Sequence, residues 1–146
     1  MTLRRALVAS LLLALLLPAC ASGPKYSSLV ATQPGVAPGQ GRIYFYRPSA
    51  LGTAVQPDIN LNGQKVGTAK PHGVYFVDRA PGDCVVTAAT ETEKKLTFTL
   101  EPGQTRYVRL KMQLGVLVGR VVPELVDRNE AEEEMRDLSF IADPLK

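Results

Sequence analysis

Tryptophan is missing from this chain of 146 residues, histidine occurs once and cysteine twice. Each scarcity removes a class of chemistry. With His72 as the single histidine, the sequence offers neither a His/Cys zinc site at ligand spacing nor a histidine-based triad. No Gly-x-Ser-x-Gly turn supplies His72 with a nucleophile. The acidic run at 132–134 lacks the D-x-D-x-D-G loop of a calcium site, so its expected place is the wet face of a helix. Charge of one sign is lacking too: 17 Lys and Arg stand against 14 Asp and Glu, interspersed along the chain. That distribution gives no basic stripe and excludes a nucleic-acid partner. No repeat of solenoid length occurs, and no apolar run reaches the roughly 20 residues that a membrane-spanning helix needs.

What is present begins with Arg4 and Arg5, followed by an apolar run over residues 6–17 that holds seven leucines and ends at Pro18. Too short to span a bilayer, this run reads as the apolar region of a secretory signal over residues 1–19. The boundary Leu17-Pro18-Ala19-Cys20 resembles the lipobox of bacterial lipoproteins. The resemblance implies cleavage by signal peptidase II between Ala19 and Cys20, a diacylglyceryl group on the Cys20 thiol, and acylation of the freed amine. An ordinary Ala-x-Ala cut near Ala21 is the competing expectation. At about 0.8 kcal/mol for each buried methylene, two or more acyl chains give stable membrane attachment. Ala21 stands where lipoproteins retained in the inner membrane carry Asp, which points to the outer membrane, facing the periplasm. Residues 21–40 hold three Pro, three Gly and three Ser without an apolar period. Together with Cys20 they predict a flexible tether, its ends about 25 Å apart.

Residues 41–146 suit one small domain. GRIYFYR (41–47) is a β-rich run stopped by Pro48, which cannot donate to a ladder. In PDINLNGQKVG (57–67), Asn62-Gly63 marks a hairpin, because both residues accept positive φ. VYFVD (74–78) runs into the Ala80-Pro81-Gly82-Asp83 turn, and CVVTAAT (84–90) resumes as a strand. KKLTFTLE (94–101) alternates with Leu96, Phe98 and Leu100 inward. After the Pro102-Gly103 turn, TRYVRLKM (105–112) places Val108, Leu110 and Met112 on one side and Tyr107, Arg109 and Lys111 on the other. GVLVGRVV (115–122) is compatible with a last strand or with a loop over the core. Asp127 and Glu130 resemble a capping box, and Ala131, Met135 and Leu138 recur at helical spacing, predicting a short helix over about 127–139. Turn signals every 8–12 residues predict a mainly β fold: a small antiparallel sandwich of about seven strands closed by that helix.

In this order, RIYFYRP, DINLNGQKVG, YFVDRAPGDCVVTA and LEPGQTRYVRL resemble an uncharacterised family of bacterial lipoproteins, the domain of unknown function 2846, from about residue 41 to residue 110. The inner segment, NGQKVG with APGDCVVTA, is similar to PEGA-type domains, which are transthyretin-like β-sandwiches. Cys84 departs from the aromatic or His expected after the Pro-Gly turn. The resemblance implies a fold and a compartment, and no catalytic residues.

Cys84 alternates with Val86 and Ala88, the pattern of a buried, inert thiol. Gly115 and Gly119 make a G-x-x-x-G that carries little weight outside a membrane span. The notable group is Arg42, Tyr44 and Tyr46, which alternate away from Ile43 and Phe45, together with Tyr107 and Arg109. If the two runs are neighbours, the five residues form one face. That face is either an exposed recognition patch of the Tyr and Arg type enriched in interfaces, or the outer half of the core. The expected function is a membrane-anchored, non-enzymatic envelope lipoprotein that binds an envelope protein or cell-wall partner or serves as a structural module, with no cofactor beyond the lipid on Cys20. The alternative is an enzyme or enzyme subunit acting on envelope polymers.

Overall fold

A computed structural model describes residues 21–141. The signal, the Ala19–Cys20 cleavage point and the lipid site at Cys20 lie outside the described residues. Nine strands and two short helices occur among those described. In chain order they are α1 (Tyr26–Leu29), β1 (Gly41–Arg47), β2 (Asp58–Leu61), β3 (Gln64–Thr68), β4 (Gly73–Arg79), β5 (Gly82–Ala89), β6 (Glu93–Leu100), β7 (Thr105–Gln113), β8 (Arg120–Val126), α2 (Arg128–Met135) and β9 (Ser139–Phe140). They build a mainly β sandwich with a helix after β8. One sheet has the order β8-β7-β1-β4-β9 and the other β3-β2-β5-β6.

The four-stranded sheet is antiparallel throughout, whereas the five-stranded sheet is mixed. In the latter, β1 pairs with β7 in parallel, and so does β4 with β9. A parallel pair requires a long crossover, and here the whole second sheet lies in the chain between β1 and β7. Residues 115–122, compatible beforehand with strand or loop, divide into a connection up to Gly119 and the start of β8 at Arg120. The hairpin at Asn62-Gly63 forms with φ of 50° and 80°. The Asn62 amide also ties it to β5, donating to Asp83 O (3.1 Å) and accepting from Val85 N (2.8 Å).

Ile43, Phe45, Val77, Val108 and Leu110 of the five-stranded sheet meet Ile59, Val86, Phe98 and Leu100 of the other in the inter-sheet core. Burial of each such side chain contributes about 1.5–3 kcal/mol. Cys84 lies in this core as a free thiol, its pKa pushed up by burial, as alternation predicts. Every residue of β1 is buried, which a strand with one wet face cannot be. A second core on the outer face of the same sheet explains it.

Residues 21–34, expected as tether, are part of that second layer. Phe140 N–H donates to Pro24 O (2.7 Å), Tyr26 N–H to Leu138 O (2.9 Å) and Ala21 N–H to Pro71 O (3.3 Å), while the Tyr26 ring is buried. Proline and glycine mark an irregular path, but they do not prevent docking when backbone groups and one aromatic ring find partners.

At the end of the sheet where β1 finishes, the fully buried Arg47 donates to Val55 O, Ala69 O, Leu51 O and Gly52 O at 2.6–2.9 Å. It thereby gathers two loops. Hydrogen bonds from a charged donor are worth about 1.5–3 kcal/mol each, which offsets the cost of burying the guanidinium.

Candidate functional site

The two runs that carry the Tyr/Arg group are neighbours, with Tyr44 opposite Tyr107 and Tyr46 opposite Arg109. The Tyr44 and Tyr107 rings stack at 5.5 Å, and Tyr26 from α1 meets Tyr44 edge-on at 5.9 Å. The shared face is not open. β8 runs back antiparallel to β7 and delivers the chain at Val126, opposite Tyr107. Asp127 then caps α2 by accepting from the N–H groups of Asn129 and Glu130, and Ala131 and Met135 close over the rings. Tyr44, Tyr46 and Tyr107 are left 5%, 0% and 6% exposed. The core alternative therefore holds for the tyrosines, and the exposed-patch alternative does not. Alternation assigns residues to a face but says nothing of what covers it.

The two arginines are embedded in the same layer by carboxylates. Arg42 is bidentate with Asp78, its partner across β4, at 2.7 Å for both bonds. It also donates to Pro34 O (2.9 Å) and lies 3.8 Å from the centre of the Phe76 ring. Arg109 is held by Glu124 (2.6 Å), Glu130 (2.6 Å) and Glu134 (2.8 Å), and Tyr46 donates to Glu134 (2.7 Å). The run 132–134 is thus only partly a wet face: Glu133 is exposed, Glu134 turns inward to Arg109, and Glu132 meets Arg128 (2.8 Å) and the Tyr107 hydroxyl (3.4 Å). Glu130, expected to complete a capping box, reaches Arg109. Burial raises the pKa of Tyr26, Tyr44 and Tyr46, and with help from Glu132 it pushes Tyr107 up to about 12. The hydroxyls of Tyr44, Tyr46 and Tyr107 act as donors, to Gln33, Glu134 and Glu132 in turn.

Beside the closed face runs a groove between α1 and α2, about 570 Å³ in volume and lined by Tyr26, Ser27, Val30, Arg128, Glu132 and Arg136. A smaller hollow of about 250 Å³ adjoins it and reaches Gln33, Arg42, Tyr44 and Tyr107. The hydroxyl of Tyr44 is hydrogen-bonded to Gln33 there. Aromatic and aliphatic walls with arginines at the rim suit binding. His72, a candidate base only if a carboxylate such as Asp78 or Asp83 lay beside it, is exposed at one end of β4, whereas Asp78, engaged by Arg42, lies near the other end. Among the described residues no group of three or more His, Cys, Asp or Glu could hold a metal ion.

Four contributors escape sequence reasoning. Tyr26 and Gln33 sit in the stretch read as tether, where a lone tyrosine among small residues was the available signal. Arg47 ends a strand and gives no sign of burial. Glu91 accepts from the backbone of Val116 (2.9 Å), Leu117 (3.1 Å) and Val118 (3.4 Å) and from Arg120 (2.8 Å), a long-range clamp without local pattern. The same clamp explains Gly115, because a Cβ there would stand 1.7 Å from Val118 O and 2.1 Å from a Glu91 oxygen.

A family model described as "Protein of unknown function (DUF2846)" matches residues 37–121. The chain belongs to this family. The match includes the five Tyr/Arg positions and ends before α2. A relative described as an uncharacterized protein, from Haemophilus influenzae (strain Rd), is 27% identical over 132 residues, 87% of this chain and 79% of its own length. No solved structure matches. No helix among the described residues is long and apolar enough to cross a membrane.

Proposed function

We propose that the chain is an exported lipoprotein, anchored through lipid on Cys20 to the outer membrane and facing the periplasm, and that its sandwich is a non-enzymatic binding or structural module. The observation that carries this reading is the Leu17-Pro18-Ala19-Cys20 boundary at the end of a twelve-residue apolar run behind two arginines. A closed aromatic layer supports the module reading, since its phenols are donors and its arginines are already paired. The groove between α1 and α2 is the place for an envelope protein or cell-wall partner, with Val30, Arg128 and Arg136 at its rim. Cys20→Ala should abolish fatty-acid labelling in cells and leave an unprocessed precursor. A mutant that still takes label and matures at the wild-type size would refute the anchor.

A further inference from the structure

Of the seven large apolar side chains exposed among the described residues, five lie at one end of the sandwich: Leu51, Leu114, Val116, Leu117 and Val118. Strand register fixes that end. β7 runs parallel to β1, with Arg109 opposite Tyr46, and continues to Gln113, about 13 Å farther at 3.3 Å per residue. The β7–β8 connection therefore projects beyond the end of β1. Leu51 is held at the same end through its carbonyl by Arg47. The connection is a built finger, because the Glu91 carboxylate secures three consecutive backbone N–H groups and Arg120, leaving Leu117 89% and Leu114 and Val116 each 84% exposed.

Ala21 lies at this end as well. Arg47 is opposite Gly73, and Ala21 docks at Pro71, two residues before it. β4 and β7 flank β1, so they are about 10 Å apart at the usual strand spacing. Cys20 is the residue bonded to Ala21. With residues 21–34 docked, no free tether separates the sandwich from an acylated Cys20, and this end must face the lipid.

We infer that the 114–118 finger and Leu51 are a membrane-contact surface that enters the headgroup region of the bilayer holding the acyl chains of Cys20. The inference rests on the lipoprotein reading. Apolar side chains in such interfacial elements lie about 5–10 Å deep. The Glu91 charge is compatible with that depth because its oxygens are engaged by amides and a guanidinium. Two points of contact, the acyl chains on one side of β1 and the finger on the other, fix the sandwich's orientation on the membrane.

The absence of tryptophan makes the test direct. The protein carrying Leu117→Trp, expressed with its N-terminal segment so that the cell can process Cys20 and purified from the cells without selecting for lipid, is mixed with phosphatidylethanolamine/phosphatidylglycerol vesicles with brominated acyl chains, beside a control with Glu101→Trp in the turn at the other end. Both positions are exposed, so neither change disturbs the core. Both variants should float with the vesicles; L117W emission should shift to the blue and be largely quenched, while E101W emission stays unquenched. Flotation with an unquenched L117W overturns the finger and leaves the anchor standing, and it would direct the finger toward a protein partner instead. Failure to float refutes the anchor and the finger together.

Discussion

Tyr44 and Tyr107 carry the residue-scale argument, because their stacked rings are covered by α2 and by Tyr26. Tyr44→Ser and Tyr107→Ser should each destabilise the protein by roughly 3–5 kcal/mol, as large-to-small changes in cores do, a cost comparable to the stability of a whole small domain. Melting curves check this, and a double variant that melts within a degree of wild type would show that the layer does not hold the fold. Val30 and Arg128 line the groove and are exposed, so substitution there should change stability by no more than about 0.5 kcal/mol in the same melting curves. How much of this site the sequence displays follows from the residues themselves. The common face of Arg42, Tyr44, Tyr46, Tyr107 and Arg109 is written in period-two alternation. Their cover is not, since it arrives from Tyr26 and from Ala131 and Met135, on either side of the strands and far from them in the chain. The carboxylate partners of Arg109 are scattered over 124, 130 and 134, and no local pattern joins them to it.

Among the elements, strands and turns are readable because their determinants are local: Asn62-Gly63, Pro102-Gly103 and the alternation of β6 and β7 each lie within a few residues. The pairing order is not local, so the parallel contact between β1 and β7 has no signature. Edges are blunted in the usual ways: β8 carries Pro123 at the edge of one sheet, β9 has two residues, and β3 and β6 carry Lys65 and Lys94. Addition of a further strand at these edges is thereby disfavoured. The finger makes a pH prediction. Backbone N–H groups of Leu117 and Val116, with Arg120, lower Glu91 from the ordinary 4.5 to about 2. The folded value lies below the unfolded one, so the ionised carboxylate favours the closed finger; that contribution is complete above about pH 4.5 and is lost as pH falls through 2. The Glu91 carboxyl signal in an NMR titration should have its midpoint near 2, with the amides of residues 116–118 shifting in step. A midpoint near 4.5 would mean that the clamp does not form.

At the scale of the molecule, the protein is three layers rather than the two of a simple sandwich, and the N-terminal stretch supplies part of the third. Deleting residues 21–35 should uncover the Tyr44 face, raise binding of an apolar dye and lower the melting temperature by at least about 4 °C, the shift expected for roughly 1 kcal/mol in a domain near this size. An unchanged melting temperature would return the segment to the status of a tether. The position of β1 has a consequence in time. It is the central strand, buried on both faces, yet its partners in β4 and β7 and its cover in α2 are synthesised from roughly 30 to 90 residues later. Contacts of such separation close slowly, placing β-rich domains in the millisecond-to-second range. Until β4 and β7 have emerged RIYFYR is an unpaired apolar strand, and until α2 follows its outer face is uncovered, the kind of exposed surface that aggregates. The helix that closes the outer face of β1 thus arrives late in the chain, after all the strands that pair with β1.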